Sequence, residues 1–174
     1  MNAVADSECW REAARLLRMK PHLALRTKCG FLYSSLFLVD RNARRLEDVK
    51  EDAALVRPLA GCLRDFVLRS LGPDLAGWCL CTTPRRRHRD GFHFAGAICA
   101  AAAEALGIPF RDEALASRTR DRIDTTFSLA ADPPEHNVVL FDDIITRGIT
   151  MRESRRLLVG ADHAVLPIVA IRNG

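Results

Sequence analysis

Helix-like and strand-like patterns of apolar residues alternate along the chain. The strongest helical pattern covers residues 55–71, with Pro58 near its start and Gly72 just after its end; apolar side chains recur there every three or four positions. Similar spacing predicts three shorter helices, over residues 7–19, 92–106 and 150–160.

Apolar runs between these helices predict the strands of one sheet. They cover residues 29–40, 77–82, 109–115, 137–141 and 164–171, the first as a strand or as one arm of a hairpin. A charged stretch, 41–52, is predicted to be a connection, and a polar one, 117–132, a mobile loop. Because strands alternate with helices, we expect an α/β fold with a parallel sheet and helices on both faces.

Length and composition narrow the class of protein. With 174 residues, of which 48% are hydrophobic and 28% charged, the chain fits one domain spanning residues 1–174. No apolar run is long enough for a bilayer, and the N-terminus lacks the pattern of a secretory signal, so we expect a cytoplasmic protein without membrane contact. The six cysteines are then expected to be free thiols, with Cys79 and Cys81 on one face of a strand.

The charge pattern favours an anionic ligand. Lysine and arginine number 26 against 22 acidic residues, a net charge of +4 that is carried almost entirely by arginine. Four of the arginines, with one histidine, follow the predicted strand 77–82 as the run RRRHR, residues 85–89. This run is interpreted as an anion-binding loop, with a solvated surface loop and a nucleic-acid contact as the alternatives.

The segment after the strand 137–141 concentrates candidate chemistry. Asp142 and Asp143 follow the strand directly, and ligands of open α/β sheets bind at the carboxyl ends of strands. Gly148 permits a tight turn, and Thr150 has capping-box spacing to Glu153, which predicts that a helix begins there. Free NH groups at a helix start bind anions, so the sequence predicts an anion site beside an acidic pair.

The stretch 138–150, VVLFDDIITRGIT, resembles the signature with which type I phosphoribosyltransferases bind 5-phosphoribosyl 1-diphosphate (PRPP). The resemblance implies a Rossmann-like sheet with a small hood, here residues 1–45. It implies that Asp142 and Asp143 hold the ribose hydroxyls and, directly or indirectly, Mg²⁺. The 5-phosphate would be wrapped by the loop residues Thr146, Arg147, Gly148, Ile149 and Thr150, of which Thr146 is also a candidate catalytic residue with the two acids. Arg147 occupies a position where these families usually carry a small hydroxyl residue.

The segment 83–92, TPRRRHRDGF, resembles the pyrophosphate loop of the ComF-type, competence-associated branch of that family. The resemblance covers about residues 50–174 and implies pyrophosphate contacts from Thr83, Pro84 and Arg85. Asp90 departs from the arginine common in that branch, whose cysteine-rich zinc element is not evident here. The segment 117–127 resembles the flexible loop that closes over PRPP, with Arg118 and Arg120 as candidates.

The resemblance implies Mg²⁺-dependent transfer of ribose 5-phosphate from PRPP to an unidentified small-molecule acceptor, with release of pyrophosphate. Two alternatives stay open: a non-catalytic regulator that binds PRPP or nucleotides, and an accessory protein in DNA uptake. A homodimer is a further expectation. A haloacid-dehalogenase-like phosphatase would space its two aspartates differently, and the adjacent Asp142 and Asp143 do not fit it.

Overall fold

A computed structural model describes residues 7–84, 92–117 and 127–173 of the chain. Its helices are α1 (Glu8–Leu17), α2 (Leu46–Glu51), α3 (Val56–Leu71), α4 (Phe94–Leu106) and α5 (Ile149–Gly160), with a 3₁₀ turn at Ala53–Leu55. Its strands are β1 (Pro21–Lys28), β2 (Phe31–Leu38), β3 (Trp78–Thr82), β4 (Leu115–Ser117), β5 (Phe127–Leu129), β6 (Asn137–Ile145) and β7 (Ala164–Arg172).

The central sheet has five strands in the order β1-β2-β7-β6-β3. Strands β2, β7, β6 and β3 run parallel, and β1 pairs antiparallel with β2 at one edge. Strands β4 and β5 form a separate antiparallel ribbon. The predicted α/β fold with a parallel sheet is therefore confirmed.

Helices cover both faces of this sheet, because side chains alternate along the central strand β6. Val139 and Phe141 join the larger apolar cluster, which also contains buried residues of α1, α3 and α4. Val138 and Leu140 face the other way and join a second cluster with residues of α5. The sheet is thus buried on both sides, as expected of parallel strands.

The N-terminal segment is built into this core. Trp10, Ala13 and Leu17 of α1 are fully buried in the larger cluster, and β2 pairs with β7 in the central sheet. The described part of the segment 1–45 therefore supplies one helix and two strands. Its role as a hood over a ligand, and the extent of the domain, stay predictions.

Several elements differ from the sequence-based predictions. The segment 109–115 is not a continuous strand, since a single bridge joins Phe110 to Leu80 and a turn follows it before β4. Pro109 offers no backbone NH, and the residues after Phe110 are charged, which explains the interruption. The segment 117–132 contains β5, paired with β4, in place of an uninterrupted loop. The charged segment 41–52 contains α2, and β1 was not predicted.

Cysteine positions agree with the predictions. All six thiols are free, and Cys79 and Cys81 lie on the same face of β3, in the second cluster. Within the described ranges, no group of three or more histidine, cysteine and acidic side chains is placed to hold a metal ion. None of the described helices combines the length and apolar character needed to span a membrane.

Candidate functional site

The two adjacent aspartates lie inside β6, near its carboxyl end. The strand was predicted to stop at Phe141, but it continues to Ile145 because β7 supplies pairing partners as far as Arg172. Strand β3, on the other side, ends at Thr82 opposite Phe141. Asp142 and Asp143 therefore extend past the end of β3, where the sheet opens at its carboxyl edge.

Thr83 lies at this opening, directly after the end of β3. Its backbone NH donates to the carbonyl of Phe141 over 3.1 Å, and its hydroxyl donates to Asp142 Oδ1 over 3.0 Å. The side chain is only 6% exposed, so the hydroxyl is fixed by packing as well as by its hydrogen bond. Two residues that the sequence assigned to different loops, Thr83 and Asp142, are thus in contact.

Lys50 is a site residue that the sequence did not predict. Its Nζ lies 3.2 Å from Asp143 Oδ2, where it forms an ion pair with a carboxylate that is almost entirely buried. Helix α2 is anchored beside the sheet by the fully buried Val49, next to Lys50 in sequence. The chain has only three lysines, at positions 20, 28 and 50, but nothing in the local pattern places one of them near β6.

The environment of Asp142 favours its neutral form. Burial, as the larger cause, and the neighbouring charge of Asp143 together raise the pKa of Asp142 to about 7, although the hydrogen bond from Thr83 and the charge of Lys50 oppose the shift. A buried pair of adjacent carboxyl groups is costly unless donors or cations compensate it. The pair is therefore suited to a ligand that brings hydroxyl donors or positive charge.

The loop that follows β6 is short and leads straight into α5. Thr146 and Arg147 are exposed, whereas Gly148 is buried and adopts a left-handed conformation, φ 77°, at the N-cap of the helix. Helix α5 begins at Ile149, so the predicted capping box headed by Thr150 is wrong. Glu153 forms ion pairs with Arg152 and Arg156, which explains why it does not serve as the box partner.

Positive charge gathers at the loop between β6 and α5. In the parts of the chain that the structure describes, Arg147 has no carboxylate partner. The first NH groups of α5 and the positive end of its dipole add to the same region. Thr146, Arg147, Gly148, Ile149 and Thr150 lie in this region. The phosphate-binding role predicted for them from the sequence stays a prediction.

Other predicted site residues are placed only in part. Pro84 is buried directly after Thr83, at the start of the basic segment. Arg85, Arg118 and Arg120 lie outside the described residues. The pyrophosphate and flexible-loop contacts assigned to these arginines therefore stay predictions.

Solved phosphoribosyltransferases have a similar structure. Adenine phosphoribosyltransferase from Saccharomyces cerevisiae, complexed with adenine and an imino-altritol bisphosphate, aligns with a TM-score of 0.51 at 15% identity, over 93% of this chain and 89% of that one. A second adenine phosphoribosyltransferase aligns with a TM-score of 0.53 at 14% identity, over 92% and 88% of the two chains. Orotate phosphoribosyltransferase from Aeropyrum pernix gives a TM-score of 0.50 at 17% identity, over 91% and 80%.

Comparison of the sequence alone finds no related protein. No protein-family model and no curated protein matches the chain. The closer resemblance to the ComF-type branch stays a prediction, since the aligned structures named above are adenine and orotate enzymes. At such low identity the alignments establish the architecture, and this chain has the fold of the type I phosphoribosyltransferases.

Proposed function

We propose that this protein is a phosphoribosyltransferase that binds PRPP with Mg²⁺ and transfers ribose 5-phosphate to a small-molecule acceptor, releasing pyrophosphate. The observation that carries the proposal is the placement of Asp142 and Asp143 at the open edge of the sheet, shortly before α5 starts at Ile149. A carboxylate pair beside a helix start matches a ligand with hydroxyls at one end and a phosphate at the other.

The residues of the site would act by positioning the sugar. The two aspartates accept hydrogen bonds from the ribose hydroxyls, and Thr83 fixes the carboxyl group of Asp142 in advance. The NH groups after Gly148 and the hydroxyls of Thr146 and Thr150 hold the 5-phosphate. Holding both ends orients C1 toward the acceptor, and the fixed carboxylates stabilise positive charge that develops on the ring as the bond to pyrophosphate breaks.

The residues present fit Mg²⁺ as a shared ligand of protein and substrate. Asp142 and Asp143 offer the hard oxygen donors that Mg²⁺ prefers, and two carboxylates beside substrate oxygens and water match its usual coordination. When bound, Mg²⁺ would neutralise charge on the leaving pyrophosphate. Lys50 holds the carboxylate of Asp143 in place until then.

The test is replacement of both acids. The double variant D142N/D143N is expected to lose PRPP binding measured by calorimetry with Mg²⁺, by at least about 100-fold, since two charge-assisted contacts are removed. The matched control is D162N, because Asp162 is exposed and its left-handed backbone tolerates asparagine. Unchanged PRPP affinity in the double variant would disprove the proposal.

Arg147 favours a second candidate, a regulator that binds PRPP or nucleotides without turnover. A guanidinium stands where the resemblance implies a small hydroxyl residue, and added charge strengthens phosphate binding without assisting bond cleavage. The accessory role in DNA uptake belongs to the same non-catalytic class.

Pyrophosphate release separates the two candidates. It is measured with PRPP and Mg²⁺ across a panel of nucleobases and amines, alongside thermal stabilisation by the same ligands. Stabilisation together with release supports the enzyme. Thermal stabilisation by PRPP without pyrophosphate release in the presence of any acceptor, in the wild type and in R147T alike, supports the regulator.

A further inference from the structure

The turn between β1 and β2 contacts the loop between β6 and α5, more than a hundred residues later in the chain. The thiol of Cys29 donates a hydrogen bond to the carbonyl of Arg147 over 3.1 Å. Lys28 Cγ and Cδ each lie 3.5 Å from the position that a Cβ would take at Gly148. Two neighbouring residues of the turn therefore touch two neighbouring residues of the loop.

The backbone of the turn indicates that this contact is specific. Cys29 and Gly30 both have positive φ, 51° and 78°, in a two-residue turn closed by the pairing of Lys28 with Phe31. Such turns favour asparagine, aspartate and glycine, and a cysteine with positive φ is uncommon. The conformation directs the thiol onto the Arg147 carbonyl and fixes the position of the adjacent Lys28.

Charge is uncompensated at this contact. Among the described residues, Lys28 has no acidic partner, in contrast to Lys50, which pairs with Asp143. The Lys28 ammonium is two bonds beyond a Cδ that already packs on Gly148, the N-cap of α5. Two cations, Lys28 from the turn and Arg147 from the loop, thus belong to one contact beside the start of α5, where the helix NH groups also carry partial positive charge.

We infer that Lys28 binds the phosphate of the ligand, and that Cys29 is a positioning residue that holds Lys28 and the loop together. This inference rests on the proposed function, because it extends the site of Thr146, Gly148 and Thr150. The phosphate is then bound by two distant segments of the chain. The β1–β2 hairpin becomes part of the binding site as well as part of the sheet.

Calorimetry with ribose 5-phosphate, inorganic phosphate and ribose tests the role of Lys28. The variant K28M is expected to weaken binding of both phosphate ligands by about tenfold or more, the usual scale for one charge-assisted hydrogen bond, and to leave any ribose binding unchanged. The matched control is K20M, which removes the same charge from an exposed lysine before β1. Equal affinity in K28M and K20M would overturn the inference, as would a wild-type protein that binds neither phosphate ligand.

Cys29 supplies a second readout. It is the exposed cysteine of the six, so its alkylation by iodoacetamide is followed by mass spectrometry, and bound ribose 5-phosphate is expected to slow it several-fold. The variant C29G keeps the left-handed turn but loses the thiol, so weaker ribose 5-phosphate binding at unchanged melting temperature supports the positioning role. Alkylation at the same rate with and without ribose 5-phosphate would overturn it.

Failure of the Lys28 phosphate site can be distinguished from failure of the proposed function. Ribose 5-phosphate binding that depends on Lys28, in a protein that neither binds nor turns over PRPP, would support the phosphate site and disprove the proposed function. PRPP binding that depends on Asp142 and Asp143 but not on Lys28 would do the reverse.

Discussion

The two halves of the candidate site differ in how their charges are balanced. In the acidic half, both side chains have partners inside the protein: Asp142 accepts a hydrogen bond from the Thr83 hydroxyl, and Asp143 pairs with the Lys50 ammonium. In the loop half, Arg147 and Lys28 have no acidic partner among the described residues. Asp143 is also buried and Asp142 partly buried, whereas Thr146 and Arg147 are exposed.

This difference affects when each half of the site becomes organised for ligand binding. Buried charges interact strongly with their fixed neighbours, because little water screens them, so the acidic half is organised before a ligand arrives. The exposed cation Arg147 is screened by water and salt, so it interacts weakly with its surroundings until a phosphate binds. Substitutions in the acidic half should therefore change the stability of the free protein most, and those in the loop half the affinity for phosphate.

The largest effect on stability is expected from Asp142→Asn without ligand or metal. Since the folded pKa is raised to about 7 from 3.8, the folded protein keeps a proton that the unfolded chain loses, and stability falls as pH rises through this range. Asparagine stays neutral, so D142N should match the wild type near pH 4 and exceed it by up to about 4 kcal/mol at pH 8. Urea unfolding at several pH values measures this, and a constant difference across pH would contradict it.

A smaller loss is expected from Lys50→Met, which leaves the buried Asp143 carboxylate without its ion pair. Lys50 is itself half-exposed, so water recovers part of the interaction, and we expect a loss of about 1–2 kcal/mol at pH 8. The D143N background should remove most of this loss, as a double-mutant cycle would show. Additive losses would mean that Lys50 stabilises α2 by other contacts; K20M serves as the control.

Gly148→Ala and Gly107→Ala form a matched pair that isolates the loop half. Both glycines have positive φ, 77° and 67°, so alanine should cost each about 1 kcal/mol in backbone strain. A Cβ at Gly107 meets nothing within 4 Å, whereas one at Gly148 meets Ile145 and Lys28. Similar melting temperatures are expected, with a loss of ribose 5-phosphate affinity only in G148A; an equal loss in both would assign the effect to general destabilisation.

The parts of the fold that the sequence predicted are those with a strong local pattern. Helix α3 and the strands β3, β6 and β7 combine apolar runs or helical spacing with glycine or proline at their ends. Strand β1 was missed because it is an edge strand, half-exposed along its length, so His22, Arg26 and Thr27 interrupt the apolar alternation. Its place in the sheet is fixed by pairing with β2.

The acidic pair and the loop after it could be proposed as a site from the sequence because their residues are nearly consecutive in the chain. Lys50, Lys28 and Cys29 were missed because each reaches the site from an element distant in sequence. Lys50 lies there because α2 is held by Val49 in the larger apolar cluster, and Cys29 because β2 pairs with β7. Such contacts depend on tertiary packing, which no local spacing records.

The smallest effect on stability is expected from Glu153→Gln, which tests whether Glu153 caps the N-terminus of α5. In the structure Gly148 is the N-cap, and Glu153 pairs with the partly exposed Arg152 and Arg156. Exposed ion pairs contribute little, so E153Q should lower the free energy of unfolding by less than about 0.5 kcal/mol. A loss of about 1 kcal/mol or more would indicate that Glu153 caps the helix after all. A small effect would leave the first NH groups of α5 unoccupied by that carboxylate, as phosphate binding at the loop requires.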